Sequence, residues 1–248
     1  MVKLKAYIKN EFDTLKNTVS IPEYIWWWIA RLCMIGVIIK ASVKGEDSFV
    51  IMMMELNLGM TFIIPVVRFI CFPKLFFGNI PFNVQSFINV FIMTGSFLGH
   101  GFGFNGTVLD YDKVMHIISG GLVVFIGYLI INNTKTGKDL SPGLKTFAAA
   151  GLSNVVIIVW EIFEFMSDFF IEGANNQNWY FHPEENMFIY KIIGSGVAGE
   201  AQYPIVDTAF DMICAATGIV ICCIILYVYI KIKEKRMIDT RIKETITQ

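Results

Sequence analysis

The sequence predicts an all-α, polytopic transmembrane helix bundle, and three observations predict it. Hydrophobic residues fill 55% of the 248 positions and charged residues only 17%, giving a mean hydropathy of +0.58. Water-soluble domains carry about 25% charged residues. The apolar residues also come in runs of roughly 20, the length an α-helix needs to cross a bilayer. These runs recur along the whole chain, so membrane burial explains them better than a single greasy core.

Taken in order, residues 1–22 read as an amphipathic helix on the membrane surface. Leu4, Ile8, Phe12, Leu15 and Val19 fall at helical spacing, with Lys3, Lys5, Lys9 and Lys16 between them. That pattern lacks the apolar core of a cleaved signal peptide. A six-span domain follows over residues 23–230. The expected spans run from about Tyr24 to Lys40, Phe49 to Ile70, Val84 to Phe104, Val114 to Ile131, Leu144 to Phe165 and Val206 to Ile230. Trp26, Trp27 and Trp28 anchor the first at an interface. Gly95, Gly99 and Gly103 repeat every four residues in the third, which suits close helix packing. Residues 166–204 form a long loop with Trp179, Tyr180 and Phe181 and a glycine-rich stretch (Gly194, Gly196, Gly199), a candidate lid. Residues 231–248 form a basic tail.

Lysine and arginine counts set the expected orientation in the plasma membrane. Fifteen of the 20 fall in the N-terminal arm, the second and fourth connections and the tail, against four on the other side, with Arg31 inside the first span. The excess puts both termini in the cytoplasm. A net charge of −1 leaves no basic field for nucleic acid. Cys33, Cys71, Cys214, Cys222 and Cys223 match no zinc or redox spacing and read as packing residues.

On that topology the ionisable residues gather on the outer side. Asp112 and His116 open the fourth span at i and i+4. Glu161, Glu164 and Asp168 close the fifth at i, i+3 and i+7, and Asp207 and Asp211 open the sixth at i and i+4. Each set shares a helix face. Glu55 lies about two turns into the second span from the same side, and His100 ends the third. Asp112 and Asp207 also suit helix starts as capping carboxylates, and His116 also fits as a packing residue. Glu161, Glu164 and Asp211 are harder to explain so simply, because ionisable groups at that depth are costly. Arg31 lies near mid-membrane and is expected to pair with Glu55 or Glu161. His182, beside Pro183 in the loop, reads as a surface residue.

The stretch Asp112-Lys113-Val114-Met115-His116, then Glu161-Ile162-Phe163-Glu164, then Asp207 to Asp211 with Gly218 beyond, resembles the VanZ-like superfamily. It is most similar to the YjdF-type branch of bacterial membrane proteins. The resemblance covers about Asp110 to Gly218. VanZ-type members usually have Gln where Glu164 stands, and no Arg lies between Asp168 and Asp207 to match theirs. The resemblance implies a membrane protein linked to envelope or glycopeptide-antibiotic tolerance and prescribes no reaction.

Three functions fit these residues. The first is a metal-dependent enzyme acting on a membrane lipid or envelope component. Asp112, His116, Glu161, Glu164, Asp207 and Asp211 would be its catalytic groups, and His116, Glu161, Glu164 and Asp211 would hold a divalent ion (Mg, Mn or Zn). Arg31, Glu55 and His100 would touch substrate. The second is a cation- or proton-coupled transporter using the same carboxylates. The third is a non-catalytic, envelope-binding resistance protein that uses the long loop. Several chemistries are excluded. Three histidines are too few for the boxes of a membrane di-iron desaturase, and neither H-E-x-x-H nor G-x-S-x-G occurs. Asp207 and Asp211 echo the tail of the CDP-alcohol phosphotransferase signature, but the D-G-x-x-A-R part is missing.

Overall fold

A computed structural model describes residues 2–46, 48–70, 80–108, 110–171, 174, 176, 177 and 204–246, and these contain helices and no strand. The first helix, α1 (Val2–Thr18), carries the expected apolar stripe, with Leu4, Ile8 and Phe12 exposed. The helix also docks on the chain. Glu11 is buried and pairs with Arg68 at 2.7 Å, Tyr7 donates its hydroxyl to the Arg68 carbonyl, and the Phe12 and Phe69 rings lie 4.9 Å apart.

Ser20 starts α2 (Ile21–Lys44) through a capping box. Its hydroxyl accepts from the Glu23 N–H while the Glu23 carboxylate accepts from the Ser20 N–H, and Pro22 fits the first turn, where no amide donor is needed. Gly45, at φ +67°, ends the helix in the left-handed conformation that glycine tolerates best.

The second expected span is broken. It folds as α3 (Ser48–Met60) and α4 (Ile63–Ile70), which meet at 55°. Pro65 explains the position of the break. A proline inside a helix clashes with the carbonyl four residues back, here that of Thr61. Buried polar side chains satisfy the freed backbone. Arg31 donates to the Thr61 carbonyl at 2.8 Å, and Gln85 accepts from the Ile64 N–H and donates to the Met60 carbonyl.

The third expected span also departs from a plain α-helix. α5 (Val84–Ile92) runs on without interruption into a π-helical stretch, Met93–Gly101. The Tyr111 hydroxyl donates to the Thr94 carbonyl there at 2.6 Å. The glycine repeat does not bring two backbones together. Gly95 faces the tip of Met115, Gly99 faces the side chain of Asn105, and Gly103, at φ +74°, lies past the helix end.

After the short α6 (Phe104–Thr107), α7 (Tyr111–Asn132) leads through α8 (Lys135–Lys138) to α9 (Pro142–Phe170), and α10 (Pro204–Ile246) closes the described chain. Four helices (α2, α7, α9 and α10) are long and apolar enough to cross a membrane, or five spans if the bent α3–α4 pair counts as one. The expectation of six is therefore met in part, since neither α5 nor the π-helical stretch that continues it is long enough by itself to count as a span. Val124, Tyr128, Ala149, Ile157, Ala215, Ile219 and Leu226 form the core shared by α7, α9 and α10.

That core is tight because glycines let backbones touch. A Cβ on Gly120 of α7 would lie 2.2 Å from the Ala215 carbonyl oxygen, and one on Gly218 of α10 would lie 1.9 Å from that of Ile117. Small residues at helix crossings permit such approach. On the other side of α7, the buried Ser153 hydroxyl of α9 donates to the Gly120 carbonyl at 2.9 Å. The three helices are thus pinned together about one turn from His116 and Asp211.

Candidate functional site

The first turns of α7 and α10 and the last turns of α9 meet at one end of this three-helix unit. His116, Glu161, Glu164 and Asp211 are all buried there, and each offers a ligand atom within 4.8 Å of the others'. His116 Nε2 lies 3.6 Å from Asp211 Oδ1 and from Asp112 Oδ1, and its Nδ1 lies 3.8 Å from Glu161 Oε1. These separations are too long for hydrogen bonds. Taken singly, each approaches the spacing of two ligands on one ion, about 3.3 Å for tetrahedral bonds of roughly 2.0 Å, with His116 offering one of its two nitrogens.

The carboxylates differ in how they are held. Glu164 Oε1 accepts from Trp160 Nε1 at 2.8 Å, one turn back on the same helix. Both oxygens of Glu161, 6% exposed, and Oδ2 of Asp211, 1% exposed, have no hydrogen-bond partner among the described residues. Buried, unpartnered carboxylate oxygens are rare because leaving them unsatisfied is costly. Asp207 is also buried, whereas Asp112, 51% exposed, sits at the rim.

Lys113 is the residue that sequence reasoning overlooked. Its ammonium lies 2.7 Å from Asp207 Oδ1, 2.7 Å from Asp211 Oδ1 and 3.1 Å from Asp112 Oδ2. The signal was present, since Lys113 is three residues before His116 and so shares its helix face. Even with Lys113, five carboxylates face one ammonium and one imidazole. Crowded carboxylates in a low dielectric need a cation or shared protons as compensation.

Three other candidates lie elsewhere. Glu55 is exposed on α3. His100 is half-buried at the end of the π-helical stretch, 3.5 Å from the Asn105 amide. Arg31 was expected to pair with Glu55 or Glu161. It donates instead to Thr61, with its guanidinium 3.8 Å from the centre of the Phe62 ring, because the break before Pro65 supplies a free carbonyl. Asp168 does not join the cluster. Its carboxylate accepts the N–H groups of Asn176 and Gln177, folding the chain after α9 back over the helix ends, where Gln177 donates to Thr208 at 2.6 Å. Beside them, Glu161, Ile162, Phe165, Gln177, Pro204, Ile205 and Thr208 line a mostly apolar groove of about 380 Å³. Trp179, Tyr180, Phe181, His182 and the glycine-rich stretch lie outside the described residues, as does Cys71. The other four cysteines are free thiols.

Fold and site together define a membrane protein, helical among its described residues, with a buried carboxylate–histidine cluster at one end of three packed helices. The chain belongs to the family described as Predicted membrane protein (DUF2238), whose model matches residues 25–232. No curated protein and no solved structure matches it.

Proposed function

We propose that the cluster is a divalent-metal centre at the outer leaflet of the plasma membrane, acting on a lipid or cell-envelope substrate. The observation that carries this reading is the convergence of one imidazole and three carboxylates from three helices, with the oxygens of Glu161 unpartnered among the described residues. Three oxygen donors and one nitrogen suit Mg²⁺ or Mn²⁺ and are compatible with Zn²⁺. An ion held there supplies Lewis-acid polarisation of a carbonyl or phosphoryl oxygen. His116, Glu161, Glu164 and Asp211 hold it, and Trp160 fixes Glu164. Asp112 would exchange protons in this reading, supported by its exposure and its 3.6 Å separation from His116.

The lipid side of the proposal rests on the groove beside Glu161, whose Ile162, Phe165, Pro204 and Ile205 give a hydrocarbon chain an apolar bed next to the carboxylates. Its outer location rests on the lysine and arginine distribution. The likeness of Asp112–His116, Glu161–Glu164 and Asp207–Asp211 to the VanZ-like pattern supports an envelope role. The test is metal analysis of the purified protein beside Glu164→Gln and His116→Ala. The wild type retains Mn²⁺ or Mg²⁺ through dialysis and both variants lose it. Equal metal content in all three sinks the proposal.

One observation favours a second reading, a cation- or proton-coupled transporter. The 55° break in the α3–α4 pair, next to the buried Arg31, resembles the discontinuous helices that carry substrates near the membrane middle. A pH-dependent flux in proteoliposomes that Glu161→Gln abolishes would favour it over the enzyme.

A further inference from the structure

We propose that the cluster is a two-cation site in which the Lys113 ammonium permanently fills one position, so that only one exchangeable divalent ion binds, with Asp211 bridging the two. This rests on the metal reading above and adds the number of ions and the role of Lys113.

Two groups of ligand atoms meet at Asp211. One is His116, Glu161, Glu164 and Asp211; the other is Asp112, Asp207 and Asp211, and each is compact enough for a cation. The second group already surrounds one. A lysine ammonium has three N–H donors and no acceptor. Here one oxygen from each of three aspartates lies within 3.1 Å of it, matching its donor capacity and leaving none to grip a substrate anion.

The first group has no such internal cation. Asp211 shows the asymmetry within one side chain. Its Oδ1 binds Lys113 at 2.7 Å and also lies 3.6 Å from His116 Nε2, between the two groups, while its Oδ2 is buried and without a hydrogen-bond partner among the described residues, as are both Glu161 oxygens. A carboxylate that holds one cation, faces a second ligand group and keeps an unsatisfied oxygen stands where a bridging carboxylate does between paired cations. Lysine is also a compact point charge, the side chain that best stands in for an ion. It lies on the same turn of α7 as His116, and the glycine crossing sets both against α10. Lys113 is therefore a positioning residue. It holds Asp211 and excludes a second ion.

The experiment is Mn²⁺ stoichiometry on the full-length protein in detergent, by equilibrium dialysis and electron paramagnetic resonance. The wild type is expected to bind one Mn²⁺ with an isolated-ion spectrum. Lys113→Gln is expected to bind a second and give a spin-coupled spectrum, and Lys113→Arg to return the count to one. Two ions in the wild type, or one unchanged ion in Lys113→Gln, would overturn the proposal while leaving the metal reading intact. No bound Mn²⁺ in the wild type, with Mg²⁺ and Zn²⁺ giving the same result, overturns both. If Lys113→Gln fails to fold, Asp207→Asn and Asp211→Asn decide. Asp207 serves only the lysine position, so Asp207→Asn keeps one ion, and Asp211→Asn weakens binding more than about tenfold. Equal losses in the two variants would again overturn it.

Discussion

The contrast between Glu164 and Glu161 shows how neighbours assign work to chemically identical groups. The two lie one turn apart, yet Trp160 fixes Glu164 by a hydrogen bond while neither oxygen of Glu161 has a hydrogen-bond partner among the described residues. Hydrogen bonds from outside a ligand set orient the ligands, and losing one typically costs 10–100-fold in metal affinity. Trp160→Phe is accordingly expected to weaken Mn²⁺ binding about tenfold while leaving the helix content unchanged, read by metal titration and circular dichroism. An unaltered affinity would mean that Glu164 is positioned by packing alone. If these residues hold a metal, protons compete with it for His116 and the three carboxylates, because ligands bind deprotonated. Affinity is therefore expected to fall as pH is lowered from about 8 to about 5 and to rise again on return. A titration that is flat across that range contradicts ligation by these residues.

Among the elements, the second span departs furthest from its hydropathy profile. Its residues Phe49 to Ile70 read as one crossing by hydropathy, and an average over apolar residues cannot register one missing amide. Pro65 was in view, however, and its clash with the Thr61 carbonyl locates the break within a residue. What sequence could not supply was the partner, since Arg31 and Gln85 are distant in the chain. Arg31→Met leaves the Thr61 carbonyl unsatisfied in the interior, with an expected loss of about 1–3 kcal/mol in reversible unfolding. A loss much larger than this, together with loss of bound metal, would tie Arg31 to the cluster after all. The clustered residues were legible for the opposite reason. Spacing at i, i+3, i+4 and i+7 is local information, and it placed Glu161 with Glu164 and Asp207 with Asp211 on shared faces. The α-to-π change at Met93 had no comparable local mark, and it left His100 beside Asn105.

For the molecule as a whole, three helices carry the site, and the N-terminal elements stand beside it. The described structure has four long apolar helices and one bent pair, so the topology hangs on how the third crossing is completed. Reporter fusions at both ends are expected to report the cytoplasmic side, following the 15-to-four distribution of lysine and arginine. Termini on opposite faces would instead mean an odd number of crossings and would move the carboxylate cluster's assigned side into question. The glycine crossing gives a second global test. Gly218→Ala puts a methyl group 1.9 Å from the Ile117 oxygen, so α7 and α10 must separate. The expected cost is about 1–3 kcal/mol in unfolding, with weakened metal retention if the cluster holds an ion.

For protein engineering, that crossing divides the bundle into two unlike regions. Near Gly120 and Gly218 there is no spare volume, so a change made for robustness there also alters the gap between Lys113 and Asp211. At the other end, Ala150 of α9 and Cys223 and Tyr227 of α10 border an open apolar groove of about 410 Å³. A bulkier side chain has room in that groove. Thermostable variants for biochemical work should therefore be sought there, where filling space leaves the carboxylates undisturbed.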